Sequence, residues 1–196
     1  MIRSSEAPIG VILAGGLGRR MGGAKATVTL RGRPLIYYPL QALRSALADV
    51  AIVAKVDTEL PSLYGVKVWI EPSEPRHPLV GIVHAIGLAE GRPVLVCAAD
   101  MPFVTPALVT GIVAADPAGA PAVVPTCGGE LQPLLALYLP AAAAAFGPDA
   151  LGAGRPLREE VAAIQPHLLE IEDRRAFFNV NTPEDLLRAA AILDGA

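Results

Sequence analysis

The stretch Val11–Lys25, VILAGGLGRRMGGAK, decides the reading of this chain. An apolar run from Ile9 to Ala14 stops at Gly15-Gly16, and Gly18, Arg19, Arg20, Met21, Gly22, Gly23 and Lys25 follow. A buried strand running into bare backbone is a good receptor for a phosphate chain. Glycine lets the main chain come close to an anion with its N–H groups turned inward. Arg and Lys then neutralise the charge. The two common phosphate fingerprints both fail here. G-x-G-x-x-G, counted from Gly16, reaches Met21 where its third glycine belongs. G-x-x-x-x-G-K-[ST], counted from Gly18, reaches Gly23 and then Ala24 instead of Lys. The first failure argues against a dehydrogenase. Three cations, Arg19, Arg20 and Lys25, suit a triphosphate held by side chains and loop amides. The plainer alternative is a tight glycine turn with surface arginines.

Outward from that stretch, short apolar runs alternate with helical patterns. Strands are expected at Ile9–Ala14, Asp49–Ala54, Val66–Ile70, Pro93–Ala98, Ala122–Pro125, Leu134–Leu139 and, more weakly, Leu168–Ile171. Val28–Leu30 reads as a short extended piece turning at Gly32. Helices are expected over Pro34–Ala48, with Pro34 at the first position and Pro39 kinking it or delaying its start, and over Leu79–Glu90 as an amphipathic helix. Further helices follow Thr105-Pro106 and Thr182-Pro183, where a capping hydroxyl precedes proline, and lie over Ala141–Phe146 and Leu157–Ala163. Strands that are apolar throughout belong to a sheet covered on both faces. The expected fold is therefore a three-layer α/β/α sandwich with a mostly parallel, Rossmann-like sheet, residues 1–196 forming one domain.

Composition narrows the function. With 196 residues, 53% apolar content and a net charge of −3, the chain has an ample core and no general basic surface for nucleic acid. No apolar run approaches the ~20 residues of a membrane span. The opening MIRSSEAPIG lacks a secretory h-region, so a cytoplasmic protein is expected. Cys97 and Cys127 have no metal-type spacing and read as free thiols.

In parallel sheets, ligands sit beyond the carboxyl ends of the strands. Asp100 falls there, after the strand ending at Ala98, and is the best metal candidate. A carboxylate in that position is costly unless a cation or donors meet it. Mg²⁺ takes few protein carboxylates and completes its shell with phosphates and water. The alternative for Asp100 is a turn cap before Pro102. His77, His84 and His167 are scattered, and no Ser-His-Asp set or other evident general base exists. Transfer of a phosphoryl or nucleotidyl group to an anionic acceptor needs none, because a phosphate monoester is already a nucleophile.

These residues also carry a family resemblance. Leu13-Ala14-Gly15-Gly16, Arg20-Met21-Gly22-Gly23 and Lys25, then Pro78-Leu79-Val80-Gly81, Cys97–Pro102 and Asn179–Leu186, resemble, in order and over almost the whole chain, the motifs of molybdenum cofactor guanylyltransferases. The resemblance implies the nucleotide-diphospho-sugar transferase type of nucleotidyltransferase fold. It implies GTP as substrate and Mg²⁺, or Mn²⁺ in its place, as cofactor. The terminal phosphate of the molybdopterin cofactor would attack the α-phosphorus, and pyrophosphate would leave. Carried over by position, Arg20, Lys25 and Asp100 would be catalytic, with Asp100 holding the metal. Leu13, Ala14, Gly15, Gly16, Lys25, Glu71, Pro78, Leu79, Gly81 and Asp100 would bind the nucleotide. Asn179 and Asn181 would sit on the acceptor side, near the acceptor phosphate or the metal, and Gln132 would lie in the acceptor-side loop. Transient contact with molybdoenzymes or cofactor-insertion proteins is also implied, and no nucleic acid or membrane.

There are departures. Ala24 stands where many members have Asp, Glu71 where Asp is usual, and Ala54 or Lys55 where Asn is often found. Gly15 favours guanine, since cytidylyltransferase relatives read L-A-A-G there. Two alternatives stay open. One is a related transferase using CTP or another phosphate acceptor. The other is a non-catalytic nucleotide-binding partner of molybdoenzymes.

Overall fold

The computed structural model describes residues 7–15, 27–147, 150 and 154–195. Arg19, Arg20, Lys25 and the remainder of the glycine-rich segment from Gly16 to Ala26 lie outside the described residues.

The apolar runs form the expected strands: β1 (Ile9–Leu13), β4 (Asp49–Ala54), β5 (Lys67–Ile70), β6 (Val94–Ala98), β7 (Ala122–Cys127), β9 (Leu135–Tyr138) and β10 (His167–Glu170). With the short β8 (Glu130–Leu131) they make an eight-stranded sheet in the order β10-β7-β9-β6-β1-β4-β5, β8 pairing with β7. Strands β1, β4, β5, β6, β7 and β10 share one direction, and β8 and β9 run against them. The reversal begins in a two-residue turn. Gly128 and Gly129 have φ of 58° and 79°, both left-handed, as the tight β7–β8 hairpin requires. The chain then re-enters between β6 and β7 as β9. The buried Tyr138 hydroxyl donates to the Pro133 carbonyl at 2.8 Å and closes the loop that leads into β9.

Helices α1 (Tyr37–Ala46) and α3 (Pro106–Ala114) pack together over one face of the sheet. Helices α2 (Pro78–Leu88), α4 (Ala141–Phe146) and α5 (Leu157–Ala163) cover the other. Each face has its own apolar core, so the three-layer expectation holds. Among the described residues, no helix is long and apolar enough to cross a membrane.

Helix α1 starts later than its sequence pattern suggests. Pro34 is not its first residue: it pairs in a two-stranded ribbon, β2 (Thr29–Leu30) with β3 (Arg33–Pro34), closed by Arg31 and Gly32 at φ 52° and 73°. The delay places Pro39 in the first turn of α1, where its missing N–H costs nothing. Helix α6 (Pro183–Asp194) opens as the sequence requires. Thr182 accepts from the Asp185 N–H at 3.1 Å, and Asp185 accepts from the Thr182 N–H at 3.1 Å, a reciprocal capping box. A third small core, around Leu30, Leu35, Val180 and Ala189, holds α6 against the ribbon.

Candidate active site

The chain moves from β1 outward through β4 to β5, then crosses back to β6 on the other side of β1. Strand order reverses there, beside the carboxyl ends of β1 and β6, the favoured ligand position in such sheets. A cleft of about 450 Å³ opens at that point. Its floor is ladder backbone: Ala14 N–H donates to Val53 O (2.9 Å), Ala99 N–H to Leu13 O (3.2 Å) and Ala98 N–H to Leu134 O (2.9 Å).

Most of the expected site residues within the described residues meet on this cleft. Leu13, Ala14 and Gly15 enter from β1, Glu71 from the end of β5, and Pro78 and Gly81 from the start of α2. Asp100 comes from the turn after β6, and Asn179 and Asn181 from the segment before α6. Leu79 does not line it. Its side chain is fully buried in the core under α2, and its N–H donates to His77 Nδ1 at 3.3 Å. Gln132 does not line it either; it sits after β8, with its amide donating to Glu130 O at 3.3 Å. Gly16, Arg20 and Lys25 lie outside the described residues, though Gly15 delivers the chain to the cleft edge.

Asp100 is nearly buried, and its backbone carbonyl accepts from the Val180 N–H at 3.0 Å. That bond fixes the Asn179–Asn181 segment beside the Asp100 turn, although the two are far apart in sequence. Asn179 donates its side-chain amide to Phe177 O at 3.1 Å. The Asn181 N–H donates to Asp185 at 3.0 Å, which ties the segment to the α6 cap. Asp185 is held below the usual carboxylate range, first by that Asn181 bond and then by its bonds from Thr182. Beneath Asp100, burial and then the Asp100 charge push the Cys97 thiol far up, so it stays protonated and unreactive.

The opposite end of the cleft holds Glu71, buried and seated on bare backbone. A Cβ on Gly15 would stand 2.5 Å from Glu71 Oε1, and one on Gly81 2.9 Å from Oε2. A side chain at either glycine would crowd the carboxylate between them and force it to shift. Lys55, at the end of β4, reaches the same place. Its Nζ is 3.4 Å from Glu71 Oε1 and donates to Pro72 O at 2.6 Å.

Sequence reasoning noted Lys55 only as a departure from a family pattern and did not pair it with Glu71. Arg76 and Leu134 also line the cleft unforeseen as binding residues, and His77, whose place in the proline-rich loop allows contact with ligand although a surface position is the plainer reading, lines it as well. For His77 a signal existed: a polar residue before Pro78 at a helix start occupies the capping position, as Thr105 and Thr182 do. Arg76 is braced at the rim by Asp57 (2.7 Å) and Glu74 (3.3 Å).

Known proteins are similar to this chain in sequence and fold. The family described as "MobA-like NTP transferase domain" matches residues 10–165. A protein of Cereibacter sphaeroides named molybdenum cofactor guanylyltransferase is 37% identical over 189 residues, covering 94% of this chain and 96% of the relative. One from Thermococcus gammatolerans, named probable molybdenum cofactor guanylyltransferase, is 33% identical over 188 residues, covering 91% and 96%. The crystal structure of molybdopterin-guanine dinucleotide biosynthesis protein A from Archaeoglobus fulgidus superposes with a TM-score of 0.77 at 27% identity, covering 96% of this chain and all of that one. These similarities show the family: this chain belongs to the MobA-like NTP transferase family, with the nucleotide-diphospho-sugar transferase type of fold.

Proposed function

We propose that this protein transfers GMP from GTP to the terminal phosphate of the molybdopterin cofactor, giving the guanine dinucleotide form of the cofactor and pyrophosphate. The observation that carries this reading is convergence. Leu13–Gly15, Glu71, Asp100, Asn179 and Asn181 come from four separate parts of the chain and share one cleft. Relatives at 33–37% identity over nearly the whole chain bear the corresponding names.

GTP lies across the ends of the central strands. Its base takes the Glu71 end, and its phosphates run over Gly15 toward Asp100. Arg20 and Lys25 neutralise the triphosphate. The acceptor phosphate approaches from the side of Asn179 and Asn181. An oxygen of that phosphate attacks the α-phosphorus, a new P–O bond forms, and the bond from the α-phosphorus to the bridging oxygen breaks as pyrophosphate leaves. A phosphate monoester is largely dianionic near neutral pH, so no protein group has to remove a proton. The protein's contribution is alignment and charge neutralisation.

The donor set fits Mg²⁺. Asp100 would supply one carboxylate and Asn179 and Asn181 amide oxygens, the hard oxygen donors that Mg²⁺ takes alongside phosphates and water. Bound there, the ion would offset charge that develops on the phosphates. Mn²⁺ suits the same donors. The experiment is to incubate the protein with GTP, Mg²⁺ and molybdopterin cofactor and to look for the guanine dinucleotide by mass spectrometry. The expected result is equimolar dinucleotide and pyrophosphate. GTP binding without either product, with any acceptor, would overturn the proposal.

A further inference from the structure

Tyr138, the last residue of β9, is fully buried in the apolar core under α2, α4 and α5, with the Phe146 ring 6.2 Å away. A hydroxyl in such a place costs free energy unless a partner meets it. The partner is the Pro133 carbonyl at 2.8 Å. Burial pushes the phenol far up, so the hydroxyl stays protonated and donates. Pro133 is also buried, and as a proline it has no N–H, so its carbonyl is its one backbone hydrogen-bonding group. The residues around it are tied separately. Gln132 N–H donates to Pro125 O at 2.9 Å, and Leu134 O accepts from Ala98 N–H at 2.9 Å. Leu134 packs against the core on the opposite face of the sheet and lines the cleft. Strand order sets which end it lines. β9 lies beside β6 on the side away from β1, β4 and β5, whereas Glu71 follows β5. Leu134 therefore stands at the Asp100 end, which Asn179 and Asn181 share.

We propose that Tyr138 is a positioning residue for the acceptor: through Pro133 it holds Leu134 as an apolar wall against the body of the acceptor, beside the attacking phosphate. The proposal rests on the transfer reading above and goes beyond it by assigning what shapes the acceptor end. Tyr138 itself touches neither substrate. Asp100, Asn179 and Asn181 offer polar groups to the phosphate and its counter-ion, and Leu134 adds an apolar surface next to them. Without the hydroxyl, the Pro133 carbonyl is left buried and unmet, a costly state that the loop relieves by turning it toward water. Leu134 is the next residue and moves with it. Transfer needs the attacking oxygen held within a narrow range of positions, so a displaced wall is felt by the acceptor and not by the nucleotide at the other end.

The test is calorimetric titration of molybdopterin cofactor into the full chain saturated with Mg²⁺ and the α,β-methylene analogue of GTP, whose carbon bridge prevents loss of pyrophosphate. Tyr138→Phe removes one oxygen and keeps the ring. It should bind the GTP analogue as the wild type does and the acceptor about three- to tenfold more weakly, the scale of one hydrogen bond. With GTP in place of the analogue, KM for the acceptor should rise while KM for GTP holds. Leu134→Ala keeps the Tyr138–Pro133 bond and should weaken acceptor binding about tenfold. Because both changes act through one wall, their losses should not add, and Tyr138→Phe/Leu134→Ala should match Leu134→Ala within about twofold. A purely structural hydroxyl lowers the denaturation midpoint and either spares acceptor affinity or weakens both ligands together. Either pattern, or additive losses in the double variant, would overturn the proposal, as would wild-type acceptor affinity in Leu134→Ala. The two readings fail separately. The expected binding pattern without dinucleotide from GTP would sink the transfer reading alone. Dinucleotide synthesis with unchanged acceptor affinity in Tyr138→Phe would sink the positioning role alone. No acceptor binding by the wild type would overturn both.

Discussion

The two ends of the cleft are built by different means. At the Glu71 end, strands and a helix start supply everything: β4 brings Lys55, β5 brings Glu71, and β1 and α2 bring the glycines that seat it. The groups are buried and interlocked by packing. At the Asp100 end the side chains stand on turns, and order comes from hydrogen bonds between distant segments: Val180 to the Asp100 carbonyl, Asn181 to Asp185, and Asp185 to Thr182. The packed end suits selection of a rigid, uncharged base. The hydrogen-bonded end suits phosphates, whose charge is redistributed during the reaction, and a cation that offsets it.

The largest effect is expected at the second end. Asp100→Ala should lower kcat/KM by about 10²–10³-fold, the usual scale for removing one aimed electrostatic group. Far-UV circular dichroism should stay the same, since the carboxylate is part of none of the three apolar cores. Full turnover in Asp100→Ala would leave the proposed metal site without its main ligand. At the first end, Gly15→Ala pushes a methyl group to 2.5 Å from Glu71 Oε1. Overpacking of this kind costs about 1–3 kcal/mol, and GTP affinity should fall about tenfold for each 1.4 kcal/mol that reaches the site. Shortening the acid in the same protein, as Gly15→Ala/Glu71→Asp, should recover part of the binding. No recovery would mean that the two residues do not compete for the same space.

The sequence exposed these two ends unequally. The hydrogen-bonded end was legible because its residues carry local signals. Asp100 follows an apolar strand, and Thr182-Pro183 with Asp185 three positions after the cap announces a helix start and so positions Asn179 and Asn181 before it. The packed end was not. Lys55 and Glu71 are 16 positions apart and become neighbours only when β4 and β5 pair in parallel with Ala54 opposite Ile70. Pairing register of that kind leaves no mark in an apolar run. The same limit applies to β9. Its apolar run gave no direction, and only the Gly128-Gly129 turn signalled that the chain reverses before re-entering the sheet. Pro34 misled in the opposite way. Proline suits both a helix start and a ribbon edge, and the Arg31-Gly32 turn decided for the ribbon.

A smaller effect belongs to the α6 cap. Asp185→Asn should destabilise the protein by about 1 kcal/mol at neutral pH, the ordinary worth of a cap. The carboxylate titrates below its unfolded value, so its contribution is complete above the usual Asp range near ~3.9 and is lost as pH falls through the lower folded value. Denaturation midpoints of wild type and Asp185→Asn should therefore differ at pH 7 and converge in acid. A gap that widened in acid would place the shift in the wrong direction.

Base choice and transfer are joined most directly in one assay: pyrophosphate release by the wild-type protein with Mg²⁺ and molybdopterin cofactor, offered GTP, CTP, ATP and UTP in turn. Release with GTP, and at most a trace with the other three, is expected of the proposed guanylyltransferase cleft. Release with CTP while GTP stays silent, or release that ignores the base altogether, would show that this cleft does not work as a guanylyltransferase site.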